Sequence, residues 1–233
     1  MRGARLRLFQ LVSPALPVGA FSYSEGLEVL VQAGRLADAA AVAAWLAAEL
    51  RGGCLPIEAA ALPRLMDALA CWRRAVGVGL GDAAAARARL LDLDGWLLAQ
   101  REAAEVRAQQ RQMGRSLLQL LADLGWPLPE DSASALAWPA AWAWAGLCLE
   151  LPPLEVVEAY LYGWVANQLS AAVRLVPLGP TEAQRQQLAL APLIAQRAAE
   201  LVAADPAALW NGGVGAGLAQ LGHGALYSRL FRS

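Results

Sequence analysis

The chain has 233 residues, 58% of them apolar, and a formal charge of −1, so one core can bury roughly 70–75% of the unfolded surface without a staple. Every basic side chain is arginine, which excludes a Schiff-base lysine and a phosphate-loop lysine, and the balance of 19 basic against 20 acidic residues gives no electrostatic case for nucleic acid. Cys54, Cys71 and Cys148 are odd in number, far apart and without a Cys/His cluster, which speaks against a structural zinc site within the chain.

Much of the apolar excess is alanine, a strong helix former, and Ile57 and Ile194 are the only isoleucines. An all-α chain follows. The N-terminal MRGARLRLFQLVSP has an apolar run too short for a secretory signal, so the cytoplasm is expected. A short helix is predicted over Arg5–Val12, with Leu8, Leu11 and Val12 on one side. The stretch SPALPVGAFSYSEGLE (13–28) comes next. Pro14 and Pro17 fix φ and remove backbone donors, and Gly19 turns cheaply. Ser22 stands three residues before Glu25, the spacing of a capping box, which predicts a helix from near Tyr23 to about Gln32.

Gly34 suits the end of that helix. Asp38 should cap the next, on which Val42, Trp45, Leu46 and Leu50 repeat at helical spacing up to Gly52-Gly53. A third helix is predicted from Pro56 to about Val76, kinked or delayed by Pro63. VGVGLGD (76–82) reads as a connector, because no strand precedes it to make a phosphate loop, and Asp82 should cap the helical segment after it. From Leu90 to Leu124 the pattern fits one long helix or two in tandem, with Gly95 and Gly114 as weak points. Its middle, REAAEVRAQQRQMGRSL (101–117), is polar on most faces, with Arg101–Glu105 and Arg107–Arg111 at i,i+4. Such a run is either a solvated face or a charged docking surface.

Ser132 or Ser134 should begin the Trp-rich segment ASALAWPAAWAWAGLCL (133–149), which is too short to span a bilayer and reads as a buried or interface helix. Trp138 and Trp142 share a face, with the core as their expected destination. Pro153 should open a helix running to about Leu175, with Arg174 near its C-terminus, where a cation is stabilised. Thr181 with Gln184 has capping-box spacing, and the helix they start carries Pro192. Asp205-Pro206 starts a new segment. NGGVGAGLAQLGHGA (211–225) should be mobile or turn-like. The chain closes on LYSRLFRS, whose aromatics and arginines suit either a frayed end or a partner-binding peptide. The expected architecture is a single-domain all-α bundle of roughly eight to ten helices, joined by short Pro/Gly-rich connections. Residues 1–222 are expected to form the helical domain and 223–233 a mobile tail, frayed or partner-binding.

No catalytic constellation stands out. One histidine, His223, lacks triad partners in sequence, and no HExxH or nucleotide fingerprint is present. His223 reads as a structural or tail-docking residue. A small all-α enzyme with a site assembled from distant helices, and a membrane-peripheral protein using the Trp-rich segment, stay open as alternatives.

These stretches resemble the UreF family of urease accessory proteins. Residues 13–28 carry the family's proline, glycine, aromatic and serine positions in order, with Glu25 where Gln is frequent. Residues 101–117 resemble its Arg-Glu pair, second Glu and Arg-Gln-Met-Gly-Arg, with Ala103 where threonine is common. Residues 169–184 resemble its helix-stop-helix run. YSRLFRS matches the family's end residue for residue, and His223 matches its histidine. Gly222 instead replaces a common Arg, and Gly224, Ala225 and Leu226 replace Glu-Thr-Gln.

The resemblance implies a dimeric, non-enzymatic helper, without cofactor or membrane span, in nickel incorporation into apo-urease. It implies a bridge between the UreD/UreH scaffold, which contacts apo-urease, and the nickel-carrying GTPase UreG, whose GTP use it regulates. Tyr227, Ser228, Arg229, Leu230, Phe231 and Arg232, with His223, are then expected to bind the scaffold, Tyr227 and Phe231 as anchors. Pro14, Pro17, Gly19, Phe21, Tyr23 and Glu25 would hold that surface rigid or form part of a dimer seam. Arg101, Glu102, Glu105, Arg111 and Arg115 would face the GTPase.

Overall fold

The computed structural model describes residues 4–78, 82–130 and 136–233, and every regular element among them is helical. The helices are α1 (Ala4–Leu11), α2 (Leu27–Gln32), α3 (Ala39–Gly52), α4 (Cys54–Val78) and α5 (Ala83–Ala99). They continue as α6 (Ala104–Asp123), α7 (Trp138–Cys148), α8 (Pro153–Leu175), α9 (Pro180–Leu201) and α10 (Val214–Gly222). The connector expected at 76–82 falls largely on residues 79–81, outside the described residues. So does the Ser132 or Ser134 start of the Trp-rich segment.

The bundle is organised around α4. It packs against α3, α5, α7, α8 and α9. Its first turns, from Cys54 to Leu62, are buried without a break, and Ala59, Ala60 and Ala61 let neighbouring helices come close. Pro63 is carried inside this helix. α7 is the other central element. Every residue from Pro139 to Gly146 is buried, as expected of a helix that is apolar all round. Trp138 and Trp142 pack ring to ring, 5.3 Å between centroids, and Trp142 Nε1 donates to Val156 O at 3.1 Å. From Leu136 to Leu149 the Trp-rich segment is therefore core, which removes the surface that a membrane-peripheral reading required. No single helix among the described residues is long and apolar enough to cross a membrane. α3 and α4 meet the length and composition together only as a pair bent by 44°, and their large aliphatic side chains, among them Val42, Leu46, Leu50, Leu62, Leu65 and Leu69, are buried in the core.

Two distant groups fix how α7 enters. Asp94 on α5 accepts from Ala137 N at 3.0 Å, acting as an N-cap supplied by another helix. Gly114 on α6 lets the chain before α7 pass at close range. A Cβ there would stand 2.5 Å from Leu136 O.

Asp38 caps α3 as its position predicts, its Oδ1 accepting from Ala41 N at 2.8 Å. Pro153 opens α8 at its first turn. Several expectations need correction. Neither capping box forms. α2 begins only at Leu27, because Glu25 (φ 51) and Gly26 (φ 89) are both left-handed. α9 begins one residue early, at Pro180, whose preset φ suits a first turn, and Gly179 occupies the cap without a side-chain bond. The 90–124 pattern takes the tandem form that it allowed, as α5 and α6, but the break lies at 100–103 and neither Gly95 nor Gly114 interrupts its helix. The 211–225 stretch holds α10, a helix rather than a turn-like run. The C-terminal segment, expected to stand free, is hydrogen-bonded to the body.

Candidate partner-docking site

The C-terminal segment lies in a seat made by the residues around α2 and the first turns of α6. Ser24 on the approach to α2 supplies two donors. Its N and its Oγ each reach Ser233 O at 2.7 Å, and Glu25 N adds a third bond at 3.1 Å. Arg232 N donates to Ser22 O at 2.8 Å. Glu28, buried on the first turn of α2, accepts from Leu230 N at 2.7 Å and from Phe231 N at 3.1 Å. A carboxylate that receives backbone N–H groups forms charge-assisted bonds, so this is the firmest part of the seat. Gly26 lets α10 lie close, since its φ is positive and a Cβ there would meet Gln220 N at 2.9 Å.

Glu105 closes the seat from α6. Its Oε2 sits 2.8 Å from His223 Nδ1 and its Oε1 accepts from Arg229 Nη1 at 3.0 Å. His223 is fully buried. Its Nε2 lies 3.4 Å from Glu28 Oε2 but lacks hydrogen-bond geometry. The Arg174 guanidinium stands 4.5 Å over the Phe231 ring, a cation–π contact that adds to its position near a helix end. Gln109 completes the link. Its Nε2 donates to Glu25 Oε1 at 2.7 Å and its Oε1 accepts from Ser233 Oγ at 2.5 Å.

The expected site residues separate by exposure. Tyr227 projects wholly into solvent, and Ser228, Arg229, Leu230 and Arg232 are exposed. Phe231 is buried against this chain, so its expected role as an anchor in a partner is corrected. Pro14, Pro17 and Phe21 are exposed and Gly19 is partly so, whereas Tyr23 and Glu25 are buried. Arg101 is also corrected. It is 5% exposed and ion-paired through Nε and Nη2 to Glu58 Oε1, at 2.8 and 2.7 Å. Burial alone would weaken its charge, but Cys54 and Glu58 beside it more than reverse this, so the guanidinium stays protonated. Tyr160 OH donates to the other Glu58 oxygen at 2.8 Å, and burial together with Glu58 pushes this phenol well above its usual pKa. The i,i+4 pairing expected for Arg101 and Glu105 does not form, because each has a tertiary partner. Glu102, Arg111 and Arg115 do face solvent. With Arg107, the last two make a basic row along α6.

Sequence reasoning passed over Glu28, Glu58, Gln109 and Gln110. A signal was present for the acids. Glu58 interrupts the apolar run CLPIEAAAL (54–62), and Glu28 interrupts LEVL (27–30). A lone carboxylate on an apolar helix face is rarely buried unless something pairs with it.

Comparison with known proteins decides the family. A family model described as UreF matches residues 36–191. The chain belongs to the UreF family of urease accessory proteins. Among its relatives, each named urease accessory protein UreF, is one from Prochlorococcus marinus subsp. pastoris, 37% identical over 100% of both chains. Another, from Alkalilimnicola ehrlichii, is 40% identical over 99% of this chain and 96% of its own. One from Ralstonia pickettii is 40% identical over 97% and 96%.

Family membership makes the convergence of the motif stretches informative. Glu25 of the 13–28 stretch, Gln109 of the 101–117 stretch and Ser233 of the tail form one hydrogen-bonded chain. Arg174 of the 169–184 stretch reaches Phe231 and, at 3.5 Å, Phe21 O. Stretches far apart in sequence thus build one seat. Cys54, Cys71 and Cys148 are unpaired. Among the described residues no three His, Cys, Asp or Glu side chains are grouped to hold a metal ion.

Proposed function

We propose that this chain is a non-enzymatic, cytoplasmic accessory protein required for nickel incorporation into apo-urease. It acts as a homodimer that bridges a UreD/UreH-type scaffold and a UreG-type GTPase and regulates GTP-dependent nickel delivery. The observation that carries this reading is an apolar surface at the end of the chain. Val214, Leu218 and Leu221 line one exposed face of α10, and Trp210, Tyr227 and Leu230 are exposed in the flanking segments. A soluble chain gains nothing by leaving such a stripe in water, whereas aromatic and leucine anchors with an arginine rim suit a protein partner. The seat described above holds this surface in place, and the scaffold is its proposed occupant.

The basic row of Arg107, Arg111 and Arg115, with Glu102 nearby, is the proposed GTPase-facing surface; Arg101 acts from the core, as support. Glu105 supports too, by fixing His223 and Arg229. Pro14, Pro17, Gly19 and Phe21 are the proposed dimer contribution, and Tyr23 and Glu25 brace them from beneath.

The test is capture of each partner separately by purified protein. Leu218→Ser with Tyr227→Ala should lose the scaffold and keep the GTPase. Arg111→Ala with Arg115→Ala should do the reverse. Undiminished capture of both partners by both double variants would remove the assignment.

A further inference from the structure

A cavity of about 400 Å³ opens between the 13–21 stretch, the start of α7 and the middle of α8. Phe21, Tyr162 and Ser170 stand at its exposed mouth. Trp138, Trp142 and Trp164 line its walls, and Glu25, Glu58, Arg101 and Gln110 lie deeper.

The charges at the inner end do not balance. Glu58 is matched by Arg101 and Tyr160, so its oxygens are committed. Glu25 is also buried, but among the described residues its carboxylate oxygens accept only from the neutral Gln109 Nε2 and, at 3.1 Å, Trp164 Nε1. Among the described residues Glu25 makes no ion pair. Glu49 adds a further carboxylate close enough to feel both Glu25 and Arg101. The Arg101 guanidinium, already ion-paired to Glu58, acts on Glu25 only from beyond ion-pair distance, so two further carboxylates share one committed cation, an unfavourable arrangement for buried charge.

Gln110 supplies an independent observation. It is 4% exposed, and its Nε2 faces Glu58 Oε1 at 3.5 Å. That contact fixes the amide, since the opposite flip would set oxygen against oxygen. Gln110 Oε1 is then a buried acceptor with no donor, a costly state.

We propose that this cavity binds an organic monocation, an alkylammonium or guanidinium, with its apolar body among the tryptophans and its N–H groups on Glu25 and Gln110 Oε1. Aromatic walls favour a cation as well as an apolar body. A hard divalent ion would want several free oxygen ligands, and Glu58 has none to spare. The cation is either a free amine or an arginine or lysine side chain presented by another protein. The site is argued from Glu25 and Gln110 alone and so does not rest on the partners proposed above.

Tryptophan fluorescence of the purified full chain reads the binding. It is titrated with phenethylammonium, with the neutral isostere 2-phenylethanol, and with a capped Gly-Arg-Gly tripeptide. The expected result is a saturable change with at least one cation, weaker by about tenfold or more in Glu25→Gln. Gln110→Leu should weaken it in the same direction. Far-UV circular dichroism checks that both variants fold. Saturation by the tripeptide alone assigns the site to a partner's side chain, and saturation by the amine assigns it to a free ligand. Lack of saturation by either cation, equal binding of the alcohol, or an unchanged titration in Glu25→Gln would overturn the proposal.

Discussion

Arg101 and Arg111 belong to the same polar run and do opposite work. Arg101 turns inward at the break between α5 and α6, and Arg107 Nη1 satisfies the carbonyls exposed there, Arg101 O at 2.6 Å and Glu102 O at 2.7 Å. Arg101→Met leaves Glu58 as an uncompensated buried charge, so it should cost about 3–5 kcal/mol. Arg111→Ala, on the solvent side, should stay within about 0.5 kcal/mol. Urea denaturation followed by circular dichroism measures both. Asp94 gives a pH prediction. Burial, offset in part by the Ala137 N–H bond and Arg111, raises its carboxyl from 3.8 to about 6. The folded state therefore holds a proton that the unfolded chain releases earlier. The stabilisation from this group is complete below about pH 4 and is lost as pH rises through about 6. Asp94→Asn keeps an acceptor for Ala137 N and removes the titration. The stability difference, wild type minus Asp94→Asn, should fall by roughly 3 kcal/mol between pH 3.5 and pH 7. A flat difference would show that Asp94 titrates normally.

At the scale of elements, α3, α8 and the core destination of α7 were legible because their signals are local: Asp38, Pro153, and alanines and tryptophans at helical spacing. The start of α2 was not, since Ser22 and Glu25 have the right spacing but Glu25 and Gly26 are left-handed, and Gln109 with Trp164 claims the Glu25 carboxylate. α10 was hidden by its glycines. Its helix is held by packing against α2 and α6 rather than by propensity. Glycines on helices separate the two effects cleanly. Gly95→Ala on α5, exposed and with open space around it, should stabilise by about 0.5–1 kcal/mol. Gly114→Ala on α6 should destabilise instead, by about 1–3 kcal/mol, because backbone at Leu136 and Ala137 stands in the way. Thermal denaturation gives both signs in one experiment. The tail is an element of the same kind, held by Glu28 and Glu105. Glu28→Ala should speed trypsin cleavage after Arg229 severalfold while the helical signal persists, as expected when a segment opens locally. Cleavage at the wild-type rate would mean that Glu28 does not hold it.

For the molecule as a whole, the sequence contained the parts of the candidate site but not their meeting. The resemblance pointed to the 13–28, 101–117 and 169–184 stretches and to the tail. What it could not supply was that Glu25, Gln109, Glu105 and Arg174 close on that tail, since such contacts join residues far apart along the chain. Nor could it separate Tyr227, which points outward, from Phe231, which is spent on the chain's own body. The central claim is that the exposed face of α10 and Tyr227 form a partner surface, mounted on a seat built by the family-like stretches. Native mass measurement after co-expression with a UreD/UreH-type scaffold and a UreG-type GTPase tests it most directly. The predicted result is an assembly containing all three proteins, and loss of the scaffold from it in the Leu218→Ser, Tyr227→Ala variant. A wild-type chain that stays solitary, or a variant that assembles like wild type, would contradict it.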